Sequence, residues 1–306
     1  MGGHDLNNTK WETYPTSTSH SSSKSIMNNV RIVTDSSAHL TPEEIEQYAI
    51  TIVPLRVRMG RKLFKEMTDL SYEEYFRRLE TVKSLPETEP PQLQDMIDLY
   101  YELSHETDHI ISIHTSRKLN PVVDVARAAA STLRTHTRIT VIDSETISRG
   151  LGMIVLRAAQ LAQEGADSQT IGREIRGMIP AIFLAFLTKD LNYLERDARL
   201  RKSQAFLGNM LGIRAMVETR EGDLLVMDKA RDAVGAVEKL YEYISEFAYL
   251  EEIALLQHNN VQESTALLER LKDMFPDITI FTDVYDATLA SFIGPNALGV
   301  IVREAY

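Results

Sequence analysis

Cysteine is absent from the 306 residues, which removes disulfides, thiolate nucleophiles and cysteine-ligated zinc or iron–sulfur sites together. A reducing compartment fits that absence. Basic residues are the minority, 33 Lys and Arg against 44 Asp and Glu for a formal charge of -11. The chain therefore lacks the cationic surface on which binding to phosphate backbones and anionic membranes depends, and no nucleic-acid partner is expected. No apolar run approaches the roughly 18 residues of a spanning helix, and the first residues lack a basic stretch followed by an apolar core. No integral membrane segment is expected, and the cytoplasm is the expected location. The eight histidines are scattered without H-E-x-x-H spacing, and no G-x-S-x-G elbow occurs. Neither a metal centre nor a nucleophile-elbow hydrolase is indicated.

What is present is a repeated event. Val30 to Leu40, VRIVTDSSAHL, is a short apolar strand that ends in Thr34, Asp35, Ser36 and Ser37, and HIISIHTS (109–116) and RITVIDS (138–144) end the same way. In an open α/β sheet, ligands bind beyond the carboxyl ends of the strands, where the strand order reverses. Three polar strand ends thus point to a site before they point to a reaction.

Between these strands the helix signals are explicit. Thr41-Pro42-Glu43-Glu44 is a capping box with Pro at the first helical position, and Ser71-Tyr72-Glu73-Glu74 is a second box. ITIVPLRV (50–57) reads as a strand, QLQDMIDLYYEL has a helical period, and Asn120-Pro121 caps a helix running to Leu133. A further helix spans Gly150 to Glu164 and ends at Gly165, a left-handed cap. Strands alternating with such helices imply βαβ units and a mainly parallel sheet.

After Ser168 the texture changes to α+β: AIFLAFL (181–187) is a continuous apolar run, and IRAMVETREGDLLVMD is a hairpin turning at Glu221-Gly222-Asp223. EEIALLQH, DITIFT and LGVIV supply further strands. The expected organisation is a disordered tail at 1–29, an N-terminal α/β domain at 30–165, and a C-terminal α+β domain at 166–306 with a mixed or antiparallel sheet. Gly150-Leu151-Gly152 lacks the third glycine and the preceding strand of a dinucleotide fingerprint, and reads instead as close packing of a helix against the sheet. His114 reads as a strand-end residue that packs or hydrogen bonds near the crevice. The cluster Arg196, Arg199, Arg201 and Lys202 suits either an anionic ligand or a solvated helix face. Met178 to Leu187 and Phe206 to Ile213 are apolar enough to fill a core or line an elongated pocket.

Taken together the segments resemble the DegV family of bacterial fatty-acid-binding proteins, which includes the acyl-carrying subunits of fatty-acid kinases. The matching pieces are Ile32 to Ser36, Ile52 to Leu55, Leu85 to Thr88, Ser112 to His114 through Leu119, Val141 to Ser144, Gly150 to Gly152, Leu191 to Leu194, Gly294-Pro295 and Ala297 to Gly299. The resemblance implies a two-domain DegV-like α/β fold that holds a long-chain fatty acid between the domains as ligand, with no cofactor. It also implies a fatty-acid kinase catalytic subunit as partner.

The family's T-S-Q-P-S stretch is Thr88 to Gln92 here, with only the first hydroxyl kept, and its S-S-K-L-S-G-T segment is Ser116 to Val122, with Asn120 at the capping serine. Its R-K-G-G-R-I is Glu195 to Leu200, and Phe292 stands at the family's ligand-site histidine. The ligand-binding set that follows is Thr88, Ser116, Asn120, Arg199 and Phe292. The reading is a carrier without catalysis. Its rivals are a hydrolase using Ser36 or Ser116, an acyl-phosphate transferase, and a regulatory module that keeps only the fold.

Overall fold

The computed structural model describes residues 30–79, 81 and 84–306, so the expected tail at 1–29 lies outside the described residues. The chain opens with β1 (Val30–Asp35), a 3-10 turn at Ser36–Ala38, and α1 (Pro42–Gln47), whose capping box forms in both directions between Thr41 and Glu44. The expected strand over 50–57 is two strands, β2 (Thr51–Val53) and β3 (Arg56–Met59), because Pro54 has no N–H for the ladder. The chain changes sheets across Pro54-Leu55. β4 (Lys62–Lys65), α2 (Tyr72–Leu79) and β5 (Glu87–Glu89) follow, and β4, β3 and β5 form a small antiparallel sheet that alternation alone did not reveal. Of the second capping box one half forms: the Ser71 hydroxyl accepts from the Glu74 N–H, while the Glu74 carboxylate turns to Arg77 and Arg78.

Then come α3 (Leu93–Leu103), β6 (His109–His114), α4 (Val122–Thr132), β7 (Arg138–Asp143) and α5 (Arg149–Gln163). The parallel sheet has the order β2-β1-β6-β7. Its crossovers leave β1 on opposite sides, so the strand order reverses between β1 and β6, the position at which open α/β sheets bind their ligands. Val33 and Ile110 bury one face under α3 and α4, and Ile32, Ile111 and Ile113 bury the other under α5. Burial on both faces explains the nearly continuous apolar strands.

The chain continues through α6 (Ser168–Met178), β8 (Ile182–Thr188), α7 (Leu191–Arg196), α8 (Lys202–Met210), β9 (Arg214–Arg220), β10 (Asp223–Ala230), α9 (Ala233–Ser245), β11 (Leu250–Gln257), α10 (Val261–Met274), β12 (Ile280–Asp283), α11 (Ala287–Ile293) and β13 (Ala297–Glu304). These strands form one mixed sheet, β10-β9-β8-β13-β11-β12, with only β11 and β12 parallel. Helices α9 and α10 cover its outer face through Leu240, Ile244, Leu267 and Leu271. Its inner face, with Leu184, Phe186 and Ile301, shares one core with α5, α11 and the parallel sheet. Phe206, Leu207, Met210 and Leu211 do not fill that core; they are 55–70% exposed on and after α8.

Candidate ligand site at the carboxyl ends of the parallel strands

At the end of β1, Asp35 is fully buried and organises the strand ends that form the floor of the candidate site. Its Oδ1 accepts from the Ser37 N–H (3.1 Å) and Ser37 Oγ (2.5 Å), and its Oδ2 accepts from the Thr115 N–H (2.9 Å). His114 Nδ1 lies 3.1 Å from the same Oδ2, and its Nε2 lies 2.7 Å from Ser112 Oγ, which also accepts from Tyr100 OH. Satisfying every atom places the histidine proton on Nδ1, facing Asp35. The order Asp35, His114, Ser112 has the connectivity of a hydrolase relay. All three are wholly buried, however, and the serine lies beneath Tyr100. Ser36 and Ser116 do not join it: Ser36 Oγ bonds Glu66, and Ser116 Oγ donates to the Gly222 carbonyl at 2.5 Å. The relay is therefore a brace between strand ends.

Above this floor the five expected ligand residues form one linked series. Asn120 Oδ1 accepts from the Val122 N–H at 3.0 Å, the expected cap, and its Nδ2 donates to Thr88 Oγ1 at 3.0 Å. Its own N–H bonds the Ser116 carbonyl at 2.9 Å. Ser116 in turn reaches the tip of the β9–β10 hairpin, where Glu221 and Gly222 both have positive φ, 48° and 80°, as a two-residue turn matched to strand twist requires. Gly222 is doubly constrained, since a Cβ there would sit 2.5 Å from Ser116 Oγ. On the other side of the tip, Arg199 Nη1 donates to Asp223 Oδ1 (2.8 Å) and the Leu224 carbonyl (2.9 Å). Its guanidinium lies 5.8 Å from the ring centroid of Phe292 on α11. Arg199 Nε is buried and makes no hydrogen bond.

The positive cluster divides. Arg196 turns inward to Asp197 and the carbonyls of Pro86 and Ser291, whereas Arg201 and Lys202 are exposed. The glycines at 150 and 152 do what close packing asks: a Cβ on Gly152 would collide with the Ala38 carbonyl, and one on Gly150 would press on Thr146 Oγ1. The Gly294-to-Gly299 segment is likewise a lock. Tyr285 OH donates to the Gly294 carbonyl at 2.8 Å, and Asp190 accepts from the Asn296 N–H at 2.6 Å.

One residue beside these strand ends escaped the sequence reading. Glu66, directly after β4, is 1% exposed; Ser36 Oγ donates to its Oε2 (2.5 Å) and Thr288 Oγ1 to its Oε1 (2.9 Å). Burial, with the nearby carboxyls of Asp286 and Asp35, pushes its pKa up to about 8. Among the described residues no group of three or more His, Asp or Glu has the geometry to hold a metal ion.

Residues 29–305 match the family model described as "Uncharacterised protein, DegV family". The chain belongs to the DegV family. Protein DegV of Bacillus subtilis is 28% identical over 276 residues, 89% of this chain and 98% of that one. A DegV domain-containing protein of Deinococcus radiodurans is 28% identical over 283 residues, 90% and 98% of the two chains. The crystal structure of the Bacillus subtilis DegV, described as a fatty acid binding protein, matches with a TM-score of 0.79 at 27% identity, covering 90% of this chain and 99% of that one. A Thermus thermophilus DegV family protein, described for its fatty acid binding, also matches at 0.79, with 26% identity over 90% and 100%. The α/β architecture with a parallel and a mixed sheet is thus the DegV fold. No helix among the described residues is long and apolar enough to cross a membrane.

Proposed function

We propose that this DegV-family chain is a non-catalytic carrier that holds one long-chain fatty acid between the domains 30–165 and 166–306, with its head group at Thr88, Ser116, Asn120, Arg199 and Phe292. It presents that chain to a fatty-acid kinase in the cytoplasm. The observation that carries the reading is Arg199 Nε, a buried donor without a partner beside Phe292, at one end of a series of hydroxyl and amide groups. A buried unpaired donor is costly unless a ligand oxygen meets it. The fatty acid binding described for the Bacillus subtilis and Thermus thermophilus relatives supports the same ligand. Transfer of a 16-carbon chain from water contributes about 12 kcal/mol gross at ~0.8 kcal/mol per methylene, enough for retention after ordering losses. Apolar burial sets affinity, and the polar end sets orientation.

Mass spectrometry of the purified, denatured protein is expected to find a stoichiometric fatty acid. Its absence from protein expressed with fatty acids in the medium overturns the carrier reading.

The head-group assignment has its own consequence. Thr88→Val, and Ser116→Ala through a hydroxyl that turns from the Gly222 carbonyl to the bound carboxylate, should each weaken a fluorescent fatty acid by about tenfold to a hundredfold, the worth of a hydrogen bond to a charged group. Arg199→Ala should do the same for the acid, in a salt-dependent manner, and leave the matched fatty alcohol nearly unaffected. Unchanged titrations across this series place the carboxylate elsewhere.

A further inference from the structure

Glu66 joins parts of the molecule that are far apart in sequence. Ser36, its partner on one oxygen, belongs to the turn after β1 and also accepts the Leu55 N–H at 2.9 Å, where the chain changes sheets. Thr288, its partner on the other, lies in the first turn of α11. That helix carries Ser291, 3.0 Å from Tyr75 OH, and Phe292, which faces Arg199. A single carboxyl therefore ties the floor of the candidate site to the element that presents Phe292.

We propose that Glu66 is a protonation latch: in its neutral form, donating its proton to one of its two hydroxyl partners and accepting from the other, it holds α11 against the turn after β1, and on ionisation it loosens α11 and the wall of the ligand site.

The surroundings decide the direction. Asp35 at the end of β1, Asp286 at the N-cap of α11 and Tyr75 of α2 face Glu66, together with the two hydroxyls. No ion pair to Glu66 forms among the described residues, and the Arg149 guanidinium is engaged with Glu44 at 2.6 Å. Asp286 is itself wholly buried and has an unpartnered oxygen. An ionised Glu66 would add a charge to this enclosure with two hydroxyls and no cation to receive it, a state that water entry relieves. Because its pKa in the closed form, about 8, lies above its ordinary value of 4.5, the closed form holds the proton more tightly than an opened one. Opening is therefore least favourable below the ordinary value, becomes easier as pH rises, and stops changing above about 8.

Hydrogen–deuterium exchange of peptides spanning 287–293 tests this on the full chain, with rates corrected for intrinsic exchange. The opening constant of α11 should rise about tenfold per pH unit between pH 6 and 8 and then level off. Glu66→Gln should abolish the slope. Asp286→Asn, which keeps a capping side chain, should move the levelling to lower pH by removing a neighbouring charge. Thr288→Val should move it to higher pH by removing a donor to the carboxylate. These opposite shifts test the latch even if Glu66→Gln fails to fold. A pH-independent α11 in the wild type, an unchanged slope in Glu66→Gln, or shifts of the same sign in the other two variants overturn it. The link to ligand release rests on the proposed carrier function, and fluorescent fatty-acid dissociation should accelerate over the same range. If no fatty acid binds, the carrier reading fails while the exchange result still decides the latch.

Discussion

Asp35→Ala is expected to lower the stability of the protein by about 3–5 kcal/mol, a cost near the upper end for a single substitution. The carboxylate receives the Ser37 N–H and hydroxyl, the Thr115 N–H and His114 Nδ1, all in a wholly buried setting. Alanine leaves the Ser37 and Thr115 N–H groups and His114 without their acceptor, while the Ser37 hydroxyl keeps Thr115 Oγ1 at 3.0 Å, and each unsatisfied buried donor costs about 1–3 kcal/mol before relaxation. The loss also breaks the chain from Tyr100 through Ser112 and His114 that fixes β6 against β1. Thermal unfolding should show a fall in Tm of about 5–8 °C, at roughly 1.6 °C per kcal/mol for an unfolding entropy of about 2.1 cal/mol/K per residue. Ser37→Ala, which removes one side chain from the same cluster, should cost only about 1 kcal/mol. A variant Asp35→Ala within 1 kcal/mol of wild type would show that the brace does not hold the strand ends together.

Gly152→Ala and Gly177→Ala should move stability in opposite directions. Both glycines lie in helices, α5 and α6, where alanine gains about 1 kcal/mol of intrinsic propensity. At Gly177 the new methyl would meet only the Tyr306 ring at an ordinary 3.5 Å, so that gain should be realised. At Gly152 it would drive into the Ala38 carbonyl. That carbonyl is backbone, in the turn anchored by Asp35 and Ser36, so it cannot swing aside as a side chain would. Overpacking costs about 1–3 kcal/mol and more when backbone must shift, giving a net loss of about 2 kcal/mol. Urea midpoints of the two variants decide the matter, and a shift of the same sign in both would refute the packing argument.

Much of this architecture is readable locally. The Thr41 capping box, the Asn120 cap, the Gly165 terminus and the Glu221-Gly222 turn each depend on residues within about four positions of one another, so the chain declares them without knowledge of the fold. The parallel strands show themselves for a different reason: burial on both faces demands an apolar run. What stays hidden is partner choice. ITIVPLRV has the composition of one strand, and only the missing proline N–H and two different neighbours divide it. Glu66 reads as an exposed charge beside Lys65, because its partners lie 30 and 222 positions away. Phe206 and Leu207 show the converse error, in which apolar residues imply burial and the helix instead leaves them in water. Within the proposed ligand site, Thr88, Ser116 and Asn120 come from motif resemblance, whereas the engagement of Arg199 with Asp223 depends on the β9–β10 hairpin and has no local signal.

The position of β13 bears on how the chain comes together during synthesis. This strand, from residue 297 to 304, lies between β8 and β11 and pairs with both. Until it has left the ribosome, β8 and β11 present bare edges with unpaired amides, and the β9–β10 hairpin is the part of that sheet whose partners are already adjacent. Parallel pairing of β1 with β6 is available much earlier. Assembly should therefore run vectorially, with the first sheet closing on the nascent chain while the second waits for its central strand. Nascent chains stalled before residue 297 would expose open strand edges, the surfaces most prone to mispair with other chains.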